Sequence, residues 1–254
     1  MHVRAKKHLG QHFLKEDGIA QRIAESLTGH GGYGHVIEVG PGTGALTRHL
    51  IDRPGTTLTC FEVDRESVAY LAATWPQLHV VEDDFLAADL GRLSDGTLAV
   101  IGNFPYNIST QIVFKVLEHR DRVTELVGMF QKEVADRICA PPGSRTYGIT
   151  SVLAQAWYTC EPLFIVEPGS FIPPPKVRSA VIRMQRNNVQ HLDCPEDLFI
   201  RVVKTAFNQR RKTLTNALRT MTPPGRTLPE RFARLRAEQL SVADFVALTL
   251  ALAA

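Results

Sequence analysis

Short apolar runs separated by helical stretches fill residues 35 to 184, and this alternation predicts βαβ units. His35-Val-Ile-Glu-Val39 reads as a buried strand that leads through glycines into a helix from Ala45 to Ile51. Thr57 to Glu62 is a second strand, followed by a helix through Tyr70. Leu78 to Glu82 and Leu98 to Gly102 are the third and fourth, the latter entering a helix from Ser109 to Leu117. Glu125 to Phe130 and Ala180 to Met184 read as later strands. The string predicts an α/β fold with a doubly wound, mostly parallel sheet, whose ligands lie beyond the carboxyl ends of the strands.

The strand pattern stops near Met184. Gln185 to Cys194 is polar and reads as a linker, after which helical spacing takes over. Leu198, Val202, Phe207, Leu214 and Leu218 mark a helical stretch from Asp197 to Arg219. Pro223-Pro224-Gly225 interrupts it, and Leu228 to Arg236 and Ser241 to Leu252 resume it, with Ser241 placed as an N-cap. Two domains are expected: residues 1–186 around the sheet, and a small helical domain over 187–254.

Composition narrows the class without naming a chemistry. The 254 residues, 44% hydrophobic and 22% charged, suit a folded domain with a small appendage and not a disordered or fibrous chain. No apolar run approaches the roughly 18 residues of a membrane span. The nearest, Val242 to Ala254, is short and carries Asp244, so no membrane partner is expected. Met1 to Lys7 is basic and acid-poor, as transit peptides are, but lacks the apolar core of a secretory signal. Cys60, Cys139, Cys160 and Cys194 are scattered with no Cys-x-x-Cys, which fits unpaired thiols in a reducing cytoplasm. The nine histidines show no ligand spacing either, so no metal is expected.

Charge is uneven. Glu196 to Leu240 carries 10 Lys/Arg against 4 Asp/Glu, a balance of +6 within a chain whose net charge is +3. A basic lobe on a nearly neutral body fits either a polyanionic partner or a solvated arginine-rich face.

Candidate chemistry collects at successive strand ends. Glu38-Val-Gly40-Pro-Gly42-Thr-Gly44 follows a strand and opens a helix. Its Gly-x-Gly-x-Gly spacing is not the dinucleotide fingerprint. It suits a ligand without pyrophosphate, such as S-adenosylmethionine, or a tight structural turn. Glu62 ends the next strand, where a carboxylate can accept both hydroxyl protons of a ribose. Asp84, just past the third strand, can accept from an adenine amine with Phe85 packed nearby. Either carboxylate would equally serve as a surface charge or helix cap.

Asn103-Phe104-Pro105-Tyr106 follows the fourth strand and is the strongest local signal. The N6 amine of adenine is a poor nucleophile because its lone pair is delocalised into the ring. The Asn103 side-chain oxygen and the Pro105 carbonyl can bind its two hydrogens and favour a pyramidal nitrogen. Tyr106 offers a face for an extruded base, and positioning supplies the catalysis without a strong general base. Phe171, ahead of the rigid Pro173-Pro174-Pro175 run, either covers the other face of that base or packs an edge loop.

Together these pieces resemble the KsgA/RsmA family of small-subunit rRNA adenine N6-dimethyltransferases, relatives of the Erm methyltransferases. The resemblance rests on Leu9-Gly-Gln-His-Phe-Leu14, the glycine loop, Phe61-Glu-Val-Asp64, Asn103-Phe-Pro-Tyr-Asn-Ile-Ser109, Phe171-Ile-Pro-Pro-Pro-Lys-Val177 and Phe207-Asn-Gln-Arg-Arg-Lys-Thr-Leu214. It implies a Rossmann-like methyltransferase with S-adenosylmethionine as methyl donor. It implies cofactor contacts from His12, Leu14, Gly40, Glu62, Asp84 and Asn103, and RNA contacts from Arg210, Arg211 and Lys212. The implied substrate is two adjacent adenosines near the 3′ end of 16S rRNA in an immature small subunit, met by a cytoplasmic monomer. His12 stands where Asn is frequent in the family, and Phe104 where Leu is. An Erm-like enzyme acting on large-subunit rRNA and a non-catalytic RNA-binding assembly factor are the competing readings.

Overall fold

The computed structural model describes residues 3–253, so Met1 and His2, where the basic N-terminal reading begins, lie outside the described residues, as does Ala254. The chain divides into two compact units. The first comprises residues up to Ala135 together with 159–186, and the second residues 136–158 together with 187 onward. The sequence boundary after 186 assigned 136–158 to the sheet domain. Those residues belong with the helices instead.

In the first unit the strands are β1 (Phe13–Leu14), β2 (His35–Val39), β3 (Thr57–Phe61), β4 (His79–Val81), β5 (Leu98–Asn103), β6 (Val123–Gln131), β7 (Tyr158–Val166), β8 (Phe171–Ile172) and β9 (Ser179–Arg186). Seven of them form one sheet in the order β4-β3-β2-β5-β6-β9-β7. β2 through β6 pair in parallel, and β9 joins β6 antiparallel. The chain winds outward from β2 through β3 to β4, then returns to lay β5 on the other side of β2. That reversal opens a crevice beyond the carboxyl ends of β2 and β5, where doubly wound sheets bind ligands. Leu98, Ala99, Val100 and Ile101 of β5 are fully buried, as expected of a central parallel strand.

Helices α1 (Asp17–Glu25), α2 (Thr47–Leu50), α3 (Arg65–Thr74) and α4 (Ser109–Glu118) complete the unit's connections. Asp64 caps α3 by accepting the Glu66 N–H at 3.2 Å. β1 and β8 form a separate two-stranded pair, with Phe13 opposite Ile172 and Leu14 opposite Phe171.

The second unit is helical. Helix α5 (Lys132–Ile138) reaches into it, followed by α6 (Ile149–Trp157), α7 (Glu196–Asn208), α8 (Leu214–Ala217), α9 (Glu230–Ala233) and α10 (Val242–Ala253). Phe199, Val202, Val203, Ala206 and Phe207 make the buried face of α7. Trp157 packs edge-on against Phe199 at 6.1 Å, which is why α6 folds with this unit. Phe207 meets Tyr147 and Phe245 at 6.0 and 5.9 Å. Ser241 caps α10 as its sequence position predicts: its Oγ accepts the Asp244 N–H at 3.1 Å, and Asp244 accepts the Ser241 N–H at 3.0 Å. The expected single helix from 197 to 219 is broken at Gln209–Thr213 into α7 and α8. Among the described residues no helix is long and apolar enough to cross a membrane.

Candidate active site

A cleft of about 660 Å³ opens at the reversal point, between the ends of β2, β3 and β5 and beneath the segment Leu9–Phe13. The ends of four successive strands, β2, β3, β4 and β5, supply it, as the alternation predicts. Gly40 follows β2 at φ +69°, and its N–H bonds to the Phe61 carbonyl at 2.9 Å. A side chain at Gly42, φ +57°, would sit 2.8 Å from the Phe13 ring, so glycine there lets this ring lie across the loop.

Glu62 is only 4% exposed. Its carboxylate accepts the Gly42 N–H at 3.0 Å and the Asp64 N–H at 2.9 Å. Burial pushes its pKa up, and those two N–H groups pull part of the way back. Glu38, one strand over and wholly buried, is pushed further, to about 7, with Thr47 donating to it at 2.7 Å. Glu38 belongs to the core, whereas Glu62 faces the cleft.

Asp84 and Phe85 line the same cleft. One Asp84 oxygen accepts the Leu86 N–H at 2.9 Å, and the other has no partner among the described residues. Phe85 is buried and meets Phe61 edge-on at 5.7 Å.

At the end of β5, the Asn103 Nδ2 donates to the His12 carbonyl at 2.9 Å. A carbonyl can only accept, so this bond fixes the amide's orientation and leaves Oδ1 free as an acceptor on a residue that lines the cleft. Pro105 lines the cleft too; its carbonyl takes the Ile108 N–H at 3.2 Å and keeps a second lone pair. The Tyr106 hydroxyl is 2.6 Å from the Oγ of buried Ser179, and its ring lies 5.4 Å from that of His12, tilted by 30°. Burial raises the Tyr106 pKa, and Ser179 moderates the rise, so the hydroxyl stays protonated.

Two expected site residues lie off the cleft wall. Phe171 is 2% exposed and packs in the core, and neither it nor Leu14 lines the cleft. Successive residues of a strand point to opposite faces, so pairing β1 with β8 sends Leu14 and Phe171 inward and leaves Ile172 59% exposed. Phe13 reaches the cleft in place of Leu14. Gln11, in the segment that the resemblance places over the cofactor, also lines the cleft, and the sequence reading missed Val63 and Ile108 on its wall.

Asp64, quoted for its motif but given no task, anchors the covering segment. Its fully buried carboxylate pairs with the Lys6 ammonium and accepts from Gln11 Nε2 at 3.4 Å. Lys6 also pairs with Glu66 at 3.2 Å, and these acids raise its pKa.

In the second unit, Arg210 is engaged internally. It donates to the Arg145 carbonyl at 2.8 Å and lies 3.7 Å from Glu238. Arg211 and Lys212 are exposed, without ion-pair partners among the described residues.

Comparison with known proteins decides the family. Residues 2–253 match the family described as ribosomal RNA adenine dimethylase. The chain belongs to this family. It is 52% identical to ribosomal RNA small subunit methyltransferase A of Cytophaga hutchinsonii, across 97% of this chain and 96% of the relative. Its identity to the protein of the same name from Bacteroides thetaiotaomicron is 53%, across 97% and 93%. Among solved structures, a dimethyladenosine transferase from Plasmodium falciparum superposes with a TM-score of 0.77 at 24% identity, covering 94% of this chain and 96% of that one. The 23S rRNA methyltransferase ErmE superposes at 0.68 with 25% identity, over 93% and 99%.

The aromatic residue at position 104 has a structural account. The Phe104 ring is 1% exposed and fills a slot left by two glycines that are register partners, Gly102 on β5 and Gly128 on β6. A Cβ on Gly128 would come within 2.2 Å of the ring, and one on Gly102 within 2.7 Å.

Proposed function

We propose that this protein transfers methyl groups from S-adenosylmethionine to the N6 amines of two adjacent adenosines near the 3′ end of 16S rRNA, giving N6,N6-dimethyladenosine in an immature small subunit. The observation that carries the mechanism is the fixed Asn103 amide. Its Oδ1 and the Pro105 carbonyl are two acceptors on one rim of the cleft, matched to the two hydrogens of an exocyclic amine. Accepting both hydrogens localises the nitrogen lone pair and leaves it facing the cofactor side of the cleft. Tyr106, held by Ser179, gives the extruded base a face to stack on.

The residues present fit the methyl donor. Glu62 keeps lone pairs for a ribose diol beyond those used by Gly42 and Asp64. The free oxygen of Asp84 suits an adenine amine, and Phe61 and Phe85 make an apolar wall. When bound, the donor supplies an electrophilic methyl on a sulfonium. The protein's own contribution is to bind, orient and exclude water. His12 contributes its backbone carbonyl to Asn103, a task that does not depend on which side chain stands there. In the second unit, Arg211 and Lys212 are the proposed RNA contacts, with Arg210 holding their turn. The proposed setting is a cytoplasmic monomer, and the buried free thiols of Cys60 and Cys194 fit a reducing compartment.

The test is incubation with methyl-labelled S-adenosylmethionine and immature small subunits, followed by nucleoside analysis of the RNA. Dimethyladenosine confined to small-subunit rRNA supports the reading. Label in large-subunit rRNA moves the substrate to the Erm side, and cofactor binding without label on any RNA favours an assembly factor.

A further inference from the structure

A second cleft, of about 1070 Å³, adjoins the first and shares Gly10, Gln11, His12 and Tyr106 with it. The neighbouring rings of His12 and Tyr106, tilted by 30°, line both clefts. Both are pinned from outside the first cleft: the Tyr106 hydroxyl by Ser179, and His12 Nδ1 by the Pro173 carbonyl at 2.7 Å.

The two clefts differ in charge. The first is lined by Glu62, Asp83 and Asp84 and by no lysine or arginine. The second is lined by Lys7 and Lys176 and by no carboxylate. Neither of these lysines has an ion-pair partner among the described residues, whereas the adjacent Lys6 is committed to Asp64 and Glu66. Their ammonium groups are thus available to an external anion. Pro173-Pro174-Pro175 line the same cleft, with no backbone N–H to offer and with rigid apolar rings and carbonyls. Val177, 45% exposed, extends the apolar surface. Cations above a rigid apolar wall suit a single-stranded sugar–phosphate chain, which needs charge along its backbone and flat surface for its bases.

We propose that this second cleft seats the nucleotide flanking the target adenosine, with Lys7 and Lys176 contacting its phosphates. The inference rests on the RNA-methylation reading of the first cleft. It adds that Tyr106 faces two nucleotides, the reacting base on one side and the flanking one on the other, and that Lys7 couples RNA to the segment covering the cofactor.

The experiment is fluorescence anisotropy of a short single-stranded RNA oligonucleotide with the full chain over a sodium chloride series. Wild type is compared with a Lys7→Met/Lys176→Met variant. The log–log salt slope of the variant is expected to be shallower by about 1.4, from about 0.7 per neutralised phosphate on a single strand. Affinity for S-adenosylmethionine, measured by calorimetry, is expected to stay at the wild-type value, and Lys7→Arg/Lys176→Arg is expected to keep the wild-type slope. An unchanged slope overturns the proposal, as does a loss of cofactor affinity as large as the loss for RNA. Should the double variant fail to fold, Lys176→Met alone is expected to change the slope by about 0.7, and no change overturns the proposal. A lysine-dependent slope in a protein that makes no dimethyladenosine would support the groove and overturn the methylation reading instead.

Discussion

The rim of β5 and the basic turn between α7 and α8 hold their proposed functional side chains in opposite ways. At the rim every group is held: Asn103 by the His12 carbonyl, Pro105 by the Ile108 N–H, Tyr106 by Ser179. In the turn, Arg210 alone is held, by the Arg145 carbonyl and Glu238, while Arg211 and Lys212 extend into solvent. The difference fits what each region is proposed to meet. Methyl transfer to a weak nucleophile depends on atoms placed to a fraction of an ångström. Attraction of a phosphate backbone depends on the number of charges and hardly on their exact pose. A fixed rim should therefore fail steeply on single substitutions, and the turn should fail gradually.

Asn103→Ala tests this most severely. Removing one oriented acceptor from a preorganised site should lower turnover by about 100- to 1000-fold. In the proposed role the acceptor faces the target amine, so turnover should fall far more than cofactor affinity. Single-turnover methylation and calorimetry on the same preparation check both. Turnover within tenfold of wild type would break the contrast between rim and turn, and remove the amine-acceptor role.

Glu62→Gln comes next. Losing a carboxylate that accepts a diol should weaken cofactor binding by about 10- to 100-fold. The pH dependence adds a sign. Burial raises the pKa of Glu62, so on acidification it protonates at a higher pH than an ordinary glutamate and loses an acceptor. Cofactor affinity in wild type should therefore fall as pH drops through that raised value, and the Gln variant should be flat. A calorimetric pH series distinguishes the two, and parallel curves would exclude Glu62 as the diol's acceptor.

Packing beneath the rim gives a third, smaller effect. Gly128→Ala puts a methyl into the Phe104 ring, and overpacking of this kind costs about 1–3 kcal/mol. Denaturant unfolding measures it. The pairing of Phe104 with the Gly102–Gly128 slot predicts partial rescue by Phe104→Leu in the Gly128→Ala background, and additive losses would mean the two positions act independently.

Legibility in the sequence followed the length and regularity of each element. β2, β3 and β5 are short runs rich in apolar and β-branched residues close to glycines or acids, so their ends, and with them Gly40, Glu62 and Asn103, were readable. β7 was not, because Glu161 and Pro162 interrupt its alternation. It lies at the sheet edge, where proline is tolerated and burial is patchy. β1 and β8 have two residues each, too few to show a period, so the inward facing of Leu14 and Phe171 could not be read. The glycine slot for Phe104 joins positions on neighbouring strands and becomes visible only once their register is known. The apolar spacing that ran unbroken from Leu198 to Leu218 concealed the turn at Gln209–Thr213, which breaks the helix and exposes the basic pair.

That turn yields the mildest prediction. Arg211→Met/Lys212→Met should leave thermal stability and cofactor affinity at wild-type values, since neither side chain has an ion-pair partner among the described residues. RNA affinity should drop a few-fold at low salt, and the salt slope should become shallower by about 0.7 for each single-strand phosphate that the pair neutralises in wild type. Arg210→Met should behave in the opposite manner. It removes a donor to the Arg145 carbonyl and a partner of Glu238, so the melting temperature should fall while the salt slope stays nearly unchanged. If Arg210→Met flattens the slope as much as the exposed pair does, the held arginine also meets phosphate, and the division between structural and RNA-facing charges within this turn disappears. If the exposed pair leaves the slope intact, the positive balance of the C-terminal quarter is a solvated face, and the RNA contacts of this protein lie on the sheet unit alone.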